Sequence, residues 1–410
     1  IFPIDYLVIS RLISIICIIP LGISIIKFSR IISPKYSDYL ILIILLNPHI
    51  FVMAHRGSPD FISAALALIS LPYLLEKNKR YISIFTFSFL LGIAISIKPT
   101  VGVILILINF YYLISNDYNI FKFIKETLLI NIFSLIPFLT YSLSINYYFS
   151  FYLTSDYFYN SLLISSFHNY INNFVLYLGY VYLFILPLRI SILFNRFNKE
   201  HFNPFYFLIL VLIPIIGYYF VVPQLELNLS FVSNIIGKKL ENIIFVVSFS
   251  ILLFDLFLEK KNLFKNNALS LSILFSIILF FIIMSFFSPS QRYLICIIPL
   301  MIYFFFNNNK FSIIITFLIF FLFSVLLSIN QYLNGKVSEL IVDDLINNNI
   351  ISVSCPGVIE AHLGNKFEIN NKNCNFNAQY TIKYGTYENS VITKQLKFIF
   401  LSKTLSVVKL

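Results

Sequence analysis

Charge is what this chain has least of. Asp, Glu, Lys and Arg make up 11% of its 410 residues against 59% hydrophobic, whereas about a quarter of the residues in a soluble domain are charged. With a mean hydropathy of +0.87, a water-soluble globule is excluded and a polytopic membrane protein is expected. Strict apolar/polar alternation is also missing, which excludes a membrane barrel, and several apolar runs instead reach the roughly 17–25 residues of a bilayer-spanning helix. Tryptophan is absent, while Ile, Phe, Asn, Lys and Tyr abound. That is the bias of an AT-rich genome, so the aromatic excess carries little functional weight. Ile1 brings no Met, basic n-region or cleavage site, which excludes a signal peptide there and makes an N-terminally truncated chain the expectation.

Twelve spans are expected, near 6–28, 38–55, 60–76, 81–97, 99–115, 127–149, 171–193, 204–222, 242–258, 267–287, 291–307 and 311–332. The net charge of +11 does not point to nucleic acid, because the cations are scattered through short loops. One set of alternate loops holds Lys27, Arg30, Lys35, Lys77, Lys79, Arg80, Lys122, Lys125, Arg196, Lys199, Lys260, Lys261, Lys265 and Lys310. The other holds only Arg56, Lys98, Lys238, Lys239 and Arg292. The positive-inside rule makes the first set cytoplasmic and places both ends of the chain outside. The multi-span domain is expected over 1–332. Residues 333–410, with turn signals such as "CPG" and "KYGTYEN" and the strand-like "QLKFIFL", form a small mixed α/β extracytoplasmic domain.

Cys355 and Cys374 fall in that domain, where they either pair or stay as free thiols; Cys17 and Cys296 fall in spans, as small buried hydrophobes. The stretch 150–170, "SFYLTSDYFYNSLLISSFHNY", lacks Lys and Arg and reads either as a surface-lying lid or as an interfacial aromatic belt. His49, His168, His201 and His362 have no metal-site spacing. No acid pair lies at mid-membrane, where a proton-driven transporter would place one.

Charged groups in or beside hydrocarbon are costly and therefore functional candidates. In "MAHRGSPDF", Gly57 and Pro59 break the helix and let Arg56 and Asp60 turn inward, unless they form a solvated surface pair. Lys98 sits in the tight outer turn "SIKPT" as a site residue or a snorkelling lysine. Arg292 opens a span beside Tyr293; its guanidinium suits a phosphate through two parallel hydrogen bonds, or an interface anchor. Arg11 snorkels or joins a site, and Asp255 in "LLFDLFLEKK", near the cytoplasmic end of its span, is a candidate or simply reaches that surface. These outer cations, with a carboxylate and a charge-free aromatic loop, suit chemistry on a lipid phosphate.

The stretch "SRLISIICIIPLGISIIKFSRIISPKYSDYLILIILLNPHIFVMAHRGSPDFISAALALISLPYLL" resembles the second to fourth spans of the GT-C membrane glycosyltransferases, particularly bacterial relatives of the dolichyl-phosphate-mannose protein mannosyltransferases and the lipid A aminoarabinose transferase. "FLLGIAISIKPTVGVILIL" is similar to their "GxxxGxxxxxKP" segment, and "QRYLICIIPLMI" to their "RYLLPxxP" span. The likeness covers about 6–115 and 288–305. It implies inverting transfer of a sugar, hexosyl or mannosyl, from a polyprenyl-phosphate donor to a lipid, glycan or protein acceptor at the outer face of a bacterial cytoplasmic membrane. It further implies that Arg292 contacts the phosphate with Tyr293 beside it, that Asp60 and Arg56 face the cavity near the donor sugar or orient the first loop, and that Lys98 matches a third-loop position. The family's base lies in a first outer loop before Ile1, so no catalytic residue is assigned here. No cofactor is required by the likeness, and a divalent metal is left open. The competing expectation is an envelope-polysaccharide polymerase or ligase, or a transporter of lipid-linked glycans.

Overall fold

A computed structural model describes residues 6–32, 37–55, 58–76, 80–115, 120–144, 167–190, 193, 231–263, 268–285, 291–306, 309–348, 353–354, 380–384, 387, 390–398 and 401–409. These residues are mostly helical and divide into two compact units, one running from Tyr6 to Phe321 and the other built from Leu322 onward.

In the first unit, helices occupy each expected span except 204–222, which lies outside the described residues. They are α1 (Tyr6–Ile32), α2 (Ser37–Leu45), α3 (Pro48–His55), α4 (Pro59–Leu74), α5 (Tyr81–Ile97), α6 (Val103–Ile114), α7 (Ile120–Ser144), α8 (Phe167–Leu183), α9 (Phe231–Leu263), α10 (Ala268–Met284) and α11 (Ile297–Phe305); α12 (Lys310–Asn347) leads into the second unit. Among the described residues three segments, against the twelve spans expected, are long and apolar enough to cross a membrane: Arg11–Ile31, Ile124–Tyr141 and Lys310–Leu345. A fourth candidate is the pair Pro48–Ala54 and Pro59–Leu74, bent by 113°.

Proline and its neighbours set several boundaries. The expected span 38–55 is broken at Asn47–Pro48, where proline cannot supply the N–H that would continue α2; the Asn47 side chain instead accepts from the His49 N–H at 3.1 Å and starts α3. Pro99 excludes Lys98 from the helical region. Lys98 is accordingly extended, with φ −147° and ψ 106°, and a 3₁₀ turn, Pro99–Gly102, follows.

Close helix contacts need small residues, since apolar burial gives no net drive between helices in lipid. A Cβ on Gly92 would collide with the Ser134 carbonyl of α7, and one on Gly179 of α8 would overlap the Phe245 carbonyl of α9. Buried hydroxyls return to their own helix: Ser29 donates to Ile25 at 2.6 Å, Ser96 to Gly92 at 2.8 Å and Ser276 to Ser272 at 2.7 Å, satisfying groups that hydrocarbon cannot. Facing outward are large apolar side chains, among them Ile16, Ile19, Leu128, Leu139, Phe311 and Leu318, a surface for acyl chains rather than water.

Helix α12 runs past the expected span end at 332. Polar residues there stop the membrane pattern but not the helical period: Leu333, Val337, Ile341 and Leu345, spaced by four, are all buried. In the second unit the strands β1 (Val353–Ser354), β2 (Tyr380–Tyr384), β3 (Ser390–Phe398) and β4 (Leu401–Lys409) form one sheet in the order β1-β2-β4-β3. β1 is parallel to β2, and the rest is antiparallel, with β3 and β4 a hairpin closed at Phe398 and Leu401. Lys394 of β3 pairs with Asp344 of α12 at 2.8 Å. Cys355 and Cys374 lie outside the described residues.

Candidate functional site

Asp60 is set by the sequence immediately around it. Ser58 caps α4, accepting from the Asp60 N–H at 3.2 Å, and Pro59 follows at the first helical position with its φ already suited to it. The helix dipole favours a carboxylate in this first turn. The Ser58 hydroxyl donates to Asp60 Oδ2 at 2.9 Å.

The other carboxylate oxygen, Oδ1, lies 3.0 Å from Lys98 Nζ. Asp60 is 7% exposed, and the lysine side chain 29%, so one partner is buried and the other reaches a wet edge. The pair is positioned by the α4–α5 contact, where Ser63 Oγ donates to the Ala94 carbonyl at 2.8 Å, and by the extended backbone that Pro99 imposes on Lys98. Lys98 Nζ also stands 5.0 Å from the centre of the Tyr293 ring, in the short turn Gln291–Leu294 that precedes α11.

Three expected outer turns therefore meet: the second through Asp60, the third through Lys98 and the last through Tyr293. Arg292 is exposed beside the half-buried Tyr293. Arg56 lies outside the described residues. Asp60 turns inward, as expected, and its described ionic partner is Lys98. No short-range sequence signal predicts this, because the two are 38 positions apart and meet only through helix packing.

Chemically, an ammonium with three donors sits between a carboxylate and an aromatic ring. Asp60 Oδ2 is held by the Ser58 hydroxyl and Oδ1 faces the Lys98 ammonium, an arrangement that fixes where Lys98 stands. Among the described residues no three His, Cys, Asp or Glu side chains are grouped to hold a metal.

A second charged cluster was not anticipated from the sequence. Asp255 does not reach the cytoplasmic surface: it is 1% exposed and takes two hydrogen bonds from Arg189, Nε to Oδ2 at 2.8 Å and Nη2 to Oδ1 at 2.7 Å. Tyr182 donates to Oδ2 at 2.8 Å, and Arg189 lies over the Phe305 ring at 5.6 Å. In hydrocarbon, pairing is cheaper than leaving either charge alone. The available signal was an Arg and an Asp in two apolar runs, each too costly to be alone. Mid-span polar contacts complete the set: His49 Nδ1 with the Tyr180 hydroxyl at 3.1 Å, and the Asn109–Asn131 amide pair at 3.0 and 3.2 Å.

No family model, curated protein or solved structure matches this chain.

Proposed function

We propose that the protein is a GT-C type membrane glycosyltransferase that moves a sugar from a polyprenyl-phosphate donor to an acceptor at the extracytoplasmic face, with inversion. The observation that carries this reading is the convergence of Asp60, Lys98 and Tyr293 from three separate outer turns. Contacts elsewhere also join residues that loop charges assign to one side: Lys27 pairs with Glu76 and covers Tyr73 at 3.6 Å, and Lys125 covers Tyr81 at 5.0 Å.

In this reading Lys98 and Arg292 flank the donor phosphate, and Tyr293 lines the cavity between them. The acceptor oxygen attacks the anomeric carbon, the carbon–phosphate-oxygen bond breaks, and the electron pair leaves with the lipid phosphate. Cations beside that phosphate stabilise the charge that develops on it. The acceptor proton goes to a base outside the described residues, and Asp60 holds Lys98 in place.

The test is transfer from a radiolabelled polyprenyl-phosphate sugar in membranes carrying the full-length protein. Arg292→Ala and Lys98→Ala should each lower transfer by on the order of 10²-fold or more while the protein stays folded. Undiminished transfer in either variant removes that residue from the site. Movement of an intact lipid-linked glycan across the bilayer, with no sugar released from its carrier, would replace this reading by transport.

A further inference from the structure

Beyond the transfer reaction, and independent of it, the second unit carries a groove of about 750 Å³ between α12 and β3, within the range of small-molecule sites. Its floor is apolar, made by Ile329, Leu333, Leu340 and, from β3, Leu396; its rim carries Lys336, Glu339 and Asp343. We propose that this groove binds a zwitterionic membrane phospholipid with a primary-amine headgroup, of the phosphatidylethanolamine kind.

Two observations identify this occupant. The first is continuity along one helix face. Leu322, Val325, Ile329, Tyr332, Lys336, Leu340 and Asp343 recur every three or four residues, so they form a single stripe on α12. Leu322 and Val325 are 57% and 41% exposed, Tyr332 is 64% exposed, and the lined groove begins where this apolar stretch ends. An acyl chain lying along the upper stripe thus delivers its headgroup to the groove, with the amphipathic Tyr332 at the boundary where such rings settle.

The second observation is the charge of the rim. Lys336 Nζ lies 2.8 Å from Glu339, and Asp343 sets a second carboxylate on the same rim, so the described lining carries one cation and two carboxylates. A lipid bearing only a phosphate brings no donor to those carboxylates. A phosphodiester joined to an ammonium does: its phosphate faces Lys336, and its ammonium donates hydrogen bonds to the carboxylates of Glu339 and Asp343. A choline headgroup has no N–H to donate and loses that half of the recognition.

The chain contains no tryptophan, so one introduced indole reports on one place. Tyr332→Trp puts it in the groove, and Tyr387→Trp, on an exposed position after β2, serves as the reference. The purified full-length protein, delipidated in neutral detergent, would be titrated with brominated phosphatidylethanolamine, phosphatidylglycerol and phosphatidylcholine. The expected result is saturable quenching of Y332W but not of Y387W, at least tenfold tighter for phosphatidylethanolamine than for the other two. Adding Glu339→Gln and Asp343→Asn to Y332W should erase that preference, raising phosphatidylglycerol affinity relative to phosphatidylethanolamine. Equal quenching by all three lipids, or a preference that survives the double substitution, means ordinary solvation by bulk lipid and overturns the proposal. These residues are on the surface, so circular dichroism of each variant is expected to match the parent; a preference lost together with the helical signal would overturn the assignment of the carboxylates.

Discussion

Arg189 and Asp255 illustrate how a single buried charge is decided by its partner. The two residues are 3% and 1% exposed, and each supplies most of what the other would lose with water. Removing one partner leaves the other charge buried alone, so Asp255→Ala or Arg189→Ala should each cost about 3–5 kcal/mol. Replacing both by Leu and Met of similar volume should cost distinctly less than the sum of the single losses. Thermal unfolding of the detergent-solubilised protein checks this; additive losses would mean that the two charges do not depend on one another. At Asp60 the same logic has a functional reading. Asp60→Asn keeps the shape and an oxygen for Ser58 but releases Lys98, and transfer should fall on the order of 10²-fold, as for a misplaced contact; in the parent background Lys98→Arg, which keeps the cation, should retain more activity than Lys98→Ala.

At the level of elements, two glycines in helices have opposite consequences. Gly179 lies where α8 and α9 touch, and a methyl group there meets the Phe245 carbonyl, whereas a Cβ on Gly335 of α12 meets nothing within 4 Å. Gly335→Ala should therefore stabilise by about 0.5–1 kcal/mol, the ordinary gain of alanine over glycine in a helix. Gly179→Ala should destabilise, because a backbone carbonyl cannot swing aside as a side chain can. Measured unfolding of the two variants should differ in sign. The same element-level reasoning explains α12: the end of its apolar run and the end of its helix are different events, fifteen residues apart in this chain, because hydrophobic periodicity on the buried face continues through Leu345.

For the whole molecule, the alternation of basic and non-basic loops makes a prediction about sidedness. Cysteines replacing Lys27, Lys125 or Lys310 should react with a membrane-impermeant maleimide only after permeabilisation, and one replacing Arg292 should react without it. The labelling is read in a background with Cys355 and Cys374 replaced by Ser; the native Cys17 and Cys296 are buried and give little signal of their own. Labelling of positions 27 and 292 from the same side would overturn the alternation on which the outer-face site rests.

The sequence by itself determined that the chain is apolar and helical, where most helices begin and end, and that Asp60 starts one of them. Those features follow from local rules: proline removes a donor, serine caps a helix, and a run of apolar residues must hide its backbone in hydrogen bonds of its own. The Lys98 partner of Asp60, and the burial of Asp255 where a surface position was open to it, were not legible because partners of a charge are chosen in space. Lys98 is brought to Asp60 by the α4–α5 contact, and Arg189, six residues past the end of α8, meets Asp255 of α9 across the packing of those two helices. Only the tertiary structure decided these pairs, because a buried charge accepts whichever opposite charge helix packing delivers within about 3 Å, however far apart the two lie along the chain.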